Sequence, residues 1–376
     1  MTHAAPETFH LDDPRSLLAA LLNAGYRVIG PQPRDGAIVY APLPTPEALP
    51  RGLAERQAPG HYRLDETGGS RWFDTTVGPQ SWKGWLFPAR QKLFEADRTG
   101  DGFTITDVAS QAAHDWPKTA FFGVRPCEIA AMEVQDRVFD NGSFADPGYG
   151  ARRDATLIVA VNCARAADTC FCASLDTGPR AQSGFDLALT EFEDGRGFLL
   201  EVGSARGAGI AATLDLAPAS DSQIAAARAV SAATAATQTR KMPEGIAATL
   251  KANPDHPHWD DVANRCLGCA NCTLACPTCF CTDVEDVTDL TGDHAERWRS
   301  WDSCFSIDFT HVHGGAVRRS AKARYRQWMT HKLSAWLDQF GTSGCTGCGR
   351  CITWCPVGID ITAEAAALSV PQEPTP

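Results

Sequence analysis

An α+β N-terminal domain followed by a mainly α-helical C-terminal domain is the fold class this 376-residue chain predicts, and three observations predict it. Through residues 1–240, short apolar runs of strand length alternate with helical spacings. Residues 241–258 carry Pro243, Asn253-Pro254 and His256-Pro257 and read as a linker. Beyond them stand two matching cysteine runs, Cys266-x2-Cys269-x2-Cys272-x3-Cys276-Pro277 and Cys345-x2-Cys348-x2-Cys351-x3-Cys355-Pro356. That spacing holds a pair of 4Fe–4S clusters. Residues 259–363 are therefore expected to form a mainly α-helical ferredoxin domain with two 4Fe-4S binding runs, and residues 364–376 a disordered tail.

The elements follow in order. Asp13 or Ser16 can cap a helix through residues 17–22. Tyr26–Ile29 and Ala37–Tyr40 flank Pro33-Arg-Asp-Gly36, a hairpin pattern. Residues 120–124 and 156–161 are continuous apolar runs, as in buried strands, and 128–139 between them has helical spacing. Residues 185–190 and 197–202 read as an antiparallel pair around Asp194-Gly195, and residues 222–237 as an alanine-rich helix. The long insert between the cysteine runs repeats Tyr325, Met329, Leu333, Trp336 and Phe340 every three or four positions, which predicts a helix and a ferredoxin larger than the minimal kind.

Composition narrows the function. With 34 basic and 45 acidic residues the net charge is −11, which gives nucleic-acid binding no support. No apolar run approaches the length of a membrane span and no secretory signal pattern opens the chain, so no membrane association and a cytoplasmic location are expected. Fifteen cysteines in a chain of this length, most of them in metal-type spacings, argue for iron rather than disulfides.

The spacing rule crosses the ligands, because the cysteine before each proline is carried away from its own run. Cys266, Cys269, Cys272 and Cys355 would hold one cluster, and Cys345, Cys348, Cys351 and Cys276 the other. Zinc is the plainer reading of cysteine clusters, but three cysteines at x2 spacing followed by x3-Cys-Pro, twice, is specific to iron–sulfur. Gly268, Gly347 and Gly349 would let the backbone approach closely. Cys127, Cys163, Cys170 and Cys172 form a second constellation near strand ends and would suit a third cluster. Cys279, Cys281 and Cys304 are one thiol short of a cubane; a labile metal site, supporting residues and structural thiols all stay open.

Other features read plainly. Gly203 to Ala212 contains a partial Gly-x-Gly-x-x-Ala fingerprint without its downstream context and is expected to be a loop, leaving no flavin or nicotinamide site. Arg318, Arg319, Lys322, Arg324, Arg326 and Lys332 are read first as a solvated face, with neutralisation of cluster charge as the sharper alternative. His311, His313 and His331 are read as surface or packing residues.

Taken together, Phe122-Gly-Val-Arg-Pro-Cys127-Glu-Ile, Asn162-Cys163, Thr169-Cys-Phe-Cys172, Cys276-Pro-Thr-Cys-Phe-Cys281, Trp301-Asp-Ser-Cys304 and Cys345-Thr-Gly-Cys-Gly-Arg-Cys351 resemble the iron–sulfur β subunit of cytosolic NADP-linked nickel–iron hydrogenases, the sulfhydrogenases. The A subunit of anaerobic sulfite reductase shares the pattern. The resemblance covers about residues 80–362 and is weaker before them. It implies an electron-transfer subunit between a flavin/NAD(P)H-binding subunit and the small and large subunits of a nickel–iron hydrogenase, or a sirohaem reductase subunit in the alternative. It also places Cys127, Cys163, Cys170 and Cys172 inside the shared motifs.

Overall fold

The computed structural model describes residues 7–370. Its strands, in chain order, are β1 (Thr8–Leu11), β2 (Arg27–Arg34), β3 (Ala37–Pro42), β4 (Leu53–Ala58), β5 (His61–Glu66), β6 (Arg90–Thr99), β7 (Gly102–Thr106), β8 (Thr119–Val124), β9 (Thr156–Val161), β10 (Leu187–Glu191), β11 (Phe198–Val202), β12 (Ala217–Pro218), β13 (Thr282–Thr288), β14 (His294–Trp301), β15 (His311–Val312) and β16 (Gly315–Ala316). An eight-stranded mixed sheet, ordered β12-β1-β11-β10-β9-β8-β2-β3, forms the N-terminal half. Its centre, β2-β8-β9-β10, is parallel, and every residue of β8, β9 and β10 is buried. Continuous apolar strands suit a sheet covered on both faces. The helix Pro126–Phe139 connects β8 to β9 and starts with proline at its first turn, where a missing N–H costs nothing.

The expected hairpin is β2–β3, pairing Arg34 with Ala37 across Asp35 and Gly36, both in the left-handed region that such a turn demands. The antiparallel pair is β10–β11, with Leu187 opposite Val202. Asp13 caps the first helix, Pro14–Asn23, by accepting from Arg15 N. The segment expected to be a loop differs: Ala205–Ala211 is a short helix, capped by Ser204 and packed so that Gly207 lies directly on the Asp186 carbonyl.

The C-terminal half requires a correction. It is not mainly helical, because β13 and β14 extend a second sheet ordered β13-β14-β6-β7. Both strands are half-exposed or exposed along their length and carry charged side chains on both faces, so no apolar alternation marks them in sequence. Pairing decides them instead: β14 joins β6, almost two hundred positions earlier in the chain. Residues 246–252 form a helix with Ile246 and Leu250 buried in the core built around Trp259, Trp328 and Met329. The helix Ile361–Leu368 continues past residue 364, and the remainder of the expected tail, 371–376, lies outside the described residues. The inter-run helix runs Ala321–Thr330, makes one π turn over His331–Ala335 and ends at Phe340.

Candidate iron–sulfur centre

Both cysteine runs take the same local form. In each, the third and fifth residues adopt positive φ: Gly268 at 65° and Ala270 at 67°, Gly347 at 64° and Gly349 at 79°. A one-turn helix follows each, Asn271–Leu274 and Arg350–Thr353. Such loops aim backbone N–H groups toward the enclosed space, and Gly268 N donates to Cys266 Sγ at 3.4 Å. Ile359 N donates similarly to Cys355 Sγ at 3.3 Å.

Cys266, Cys269, Cys272 and Cys355 line one apolar cavity, to which Cys351 also reaches. Burial pushes the thiols of Cys266 and Cys272 up, with the neighbouring Cys355 and Cys269 adding to the shift. Tyr325, 2% exposed, lines this cavity, and its Oη is buried without a partner among the described residues. Cys276 lies near Cys345, Cys348 and Cys351, and its thiol also meets Cys279. Lys332 donates to Cys276 Sγ at 3.3 Å, to Thr278 Oγ1 at 2.9 Å and to the Gly344 carbonyl at 2.9 Å.

The N-terminal constellation is assembled by the sheet. Because β8 and β9 are adjacent and parallel, their C-terminal ends share one edge, and Cys127 and Cys163 follow those ends. Cys170 and Cys172 join them on a second enclosed cavity, whose wall Cys348 of the second run also reaches. Burial pushes Cys127 and Cys170 well above the ordinary thiol range, Cys163 up, and Cys172 up to about 12. Four buried thiols need a cation to become thiolates, which an iron–sulfur core provides. Gln238 Nε2 donates to Cys172 Sγ at 3.3 Å.

The second run packs directly onto this constellation. Phe171 N donates to the Gly347 carbonyl at 2.9 Å, and Thr177 Oγ1 to the Thr346 carbonyl at 2.7 Å. A Cβ on Gly347 would stand 2.6 Å from Cys172 Cα, and one on Gly349 2.4 Å from the Thr169 carbonyl oxygen. Cys127, Cys172, Cys348 and Val77 form one buried apolar cluster. Beneath it, fully buried Arg350 pairs with Glu128 at 2.7 Å, and Tyr40 Oη and Trp82 Nε1 donate to the same carboxylate.

Cys279, Cys281 and Cys304 converge on a third cavity beside Lys332 and His331. The basic stretch divides accordingly: Lys332 is buried among thiols, whereas Lys322 and Arg326 pair with Asp260 and Asp255 on the surface. Sequence reading missed Gln238, Glu128 and Lys83. Their only signal was position, since Glu128 directly follows Cys127 and the other two reach the thiols from distant segments.

A 4Fe-4S dicluster domain family matches residues 265–359. Sulfhydrogenase 2 subunit beta of Pyrococcus furiosus is 33% identical over 254 residues, covering 65% of this chain and 72% of the relative. No solved structure matches the chain. Fold, thiol sites and matched domain define an iron–sulfur electron-transfer subunit of an oxidoreductase. More particularly, the chain belongs to the sulfhydrogenase β-subunit family. Among the described residues no helix is long and apolar enough to cross a membrane.

Proposed function

We propose that this chain is the cytoplasmic β subunit that connects a flavin/NAD(P)H-binding subunit to the small subunit of a nickel–iron hydrogenase. Its ligand sets would be Cys266, Cys269, Cys272 and Cys355; Cys345, Cys348, Cys351 and Cys276; and Cys127, Cys163, Cys170 and Cys172. Each 4Fe–4S group, when bound, supplies a one-electron couple. The observation that carries the reading is the direct contact of the second run with the N-terminal constellation through Gly347, Gly349 and Cys172. Three thiol sites in succession are what a relay needs and what a lone storage site does not.

The chain's own groups do the tuning. N–H···S bonds at Cys266, Cys355 and Cys172 and the Lys332 ammonium at Cys276 stabilise added negative charge. Apolar packing around Cys127, Cys172 and Cys348 keeps water away. At the other end Cys269 is exposed beside the exposed side chains of Leu267 and Val357, which supports an exit toward a partner.

The test is the purified complex assayed for H2-dependent NADP reduction, with Cys351→Ala as the variant. Turnover linked to NADP is expected to fall at least tenfold while hydrogen activation with an artificial dye persists. Unchanged NADP-linked turnover would defeat the reading, and sulfite reduction in place of hydrogen oxidation would move the subunit to a sirohaem complex.

A further inference from the structure

Among the described residues, two buried ammonium groups near the first cysteine run have no carboxylate to answer them. Lys332, 4% exposed, meets Cys276 Sγ, Thr278 Oγ1 and the Gly344 carbonyl. Lys83, also 4% exposed, meets only the Cys279 carbonyl at 3.2 Å and the face of Trp301 at 3.8 Å. Burying a charge without a counter-charge is costly enough that the group ordinarily finds an anion or gives up its proton. Beside them lie thiols beyond the three ligand sets: Cys279 and Cys281 near both lysines, and Cys304 with Lys332 on one cavity.

A fourth donor borders the same cavity. His331 opens the π turn of the inter-run helix, the kind of local irregularity that redirects side chains at functional sites. Its Nε2 meets Gln339 Oε1 at 3.3 Å, and Nδ1 has no partner among the described residues. A ligating imidazole is held in this way, with one nitrogen fixed by a polar neighbour and the other free for the metal. Trp328, 4% exposed, lines the cavity too, and its Nε1–H is buried without an acceptor.

We propose that Cys279, Cys281, Cys304 and His331 hold a fourth iron–sulfur cluster, a 4Fe–4S centre with three thiolates and one imidazole. Iron is favoured over zinc because the thiols adjoin a dicluster domain whose cysteine runs carry iron–sulfur spacing. Three thiolates give the site the negative charge that Lys83 and Lys332 require. Lys332 touches both this site and Cys276, so the centre stands beside the relay rather than apart from it. The inference deepens the relay reading and rests on it.

The experiment uses the full chain, produced and handled without oxygen, with iron and acid-labile sulfide counted per chain and the reduced protein examined by EPR during a potential titration. The wild type is expected to hold about sixteen irons, four for each of four cubanes. Cys304→Ser is expected to lose about four irons and four sulfides together with one EPR signal. His331→Cys is expected to keep its iron and to lower the potential of that one signal, since imidazole ligation raises it. If Cys304→Ser perturbs folding, His331→Cys alone decides, and no shift in any signal overturns the site. Wild-type iron in Cys304→Ser, zinc without sulfide, or a Cys281–Cys304 disulfide found by mass spectrometry would each also overturn it. Cys351→Ala separates the two readings: iron lost there but not in Cys304→Ser leaves the relay standing without the fourth centre, and iron lost in neither removes both.

Discussion

Lys332 and Arg350 show how much one buried side chain can do here. Lys332 lies against Cys276 with no carboxylate partner among the described residues, so its charge acts on sulfur. Lys332→Met keeps the length and removes the charge. The midpoint potential of the centre ligated by Cys276 is expected to fall, read by EPR-monitored titration, and an unchanged potential would show that the ammonium is electrostatically idle. Arg350 is different, because its charge is answered by Glu128 in a site sealed from water. Arg350→Met strands that carboxylate and is expected to cost about 3–5 kcal/mol in denaturant unfolding of the holoprotein. The double variant Glu128→Gln with Arg350→Met is expected to recover most of the loss, since no charge is then left buried alone. Neither role was legible in sequence. Lys332 reads as one of six basic residues on a solvated face, and only the turn of the helix that carries it shows which of the six is inside.

The loop of the second run is where two sites meet. Gly347 combines φ of 64° with backbone contact to Cys172, so a methyl group there is opposed twice, by its own conformation and by the neighbouring chain. Gly347→Ala is expected to lower the iron content of the anaerobically purified chain, while Gly100→Ala, at φ 62° in an open turn, leaves it unchanged. Equal iron in both would show that the contact is not needed to assemble the sites. Strands and helices with strong apolar patterns were readable in advance: β8, β9, the β2–β3 hairpin and the helix Asp221–Ala236 all fall where spacing puts them. The charged hairpin β13–β14 was not, because its stability comes from a partner strand remote in sequence rather than from an apolar face of its own.

At the scale of the whole molecule, the segment matched by the dicluster domain has one small core shared by aromatic side chains and cysteines. A core of that kind depends on its ligated groups. Anaerobic removal of iron with a chelator is expected to abolish hydrogen-exchange protection across residues 265–359, while β8, β9 and β10, buried on both faces, keep theirs. Protection unchanged in both regions would show that the iron is dispensable to the fold. By itself the sequence determined the chemistry, because cysteine spacing within a run is a local property that fixes which thiols can face one cube. It also determined the parallel strands, whose apolar runs are complete within five or six residues. Only the tertiary structure decided the remaining neighbours: that the second run rests on Cys172, and that two lysines and a histidine stand beside three leftover thiols. Those relations join segments far apart in the chain, and no pattern within any one of them encodes the distance.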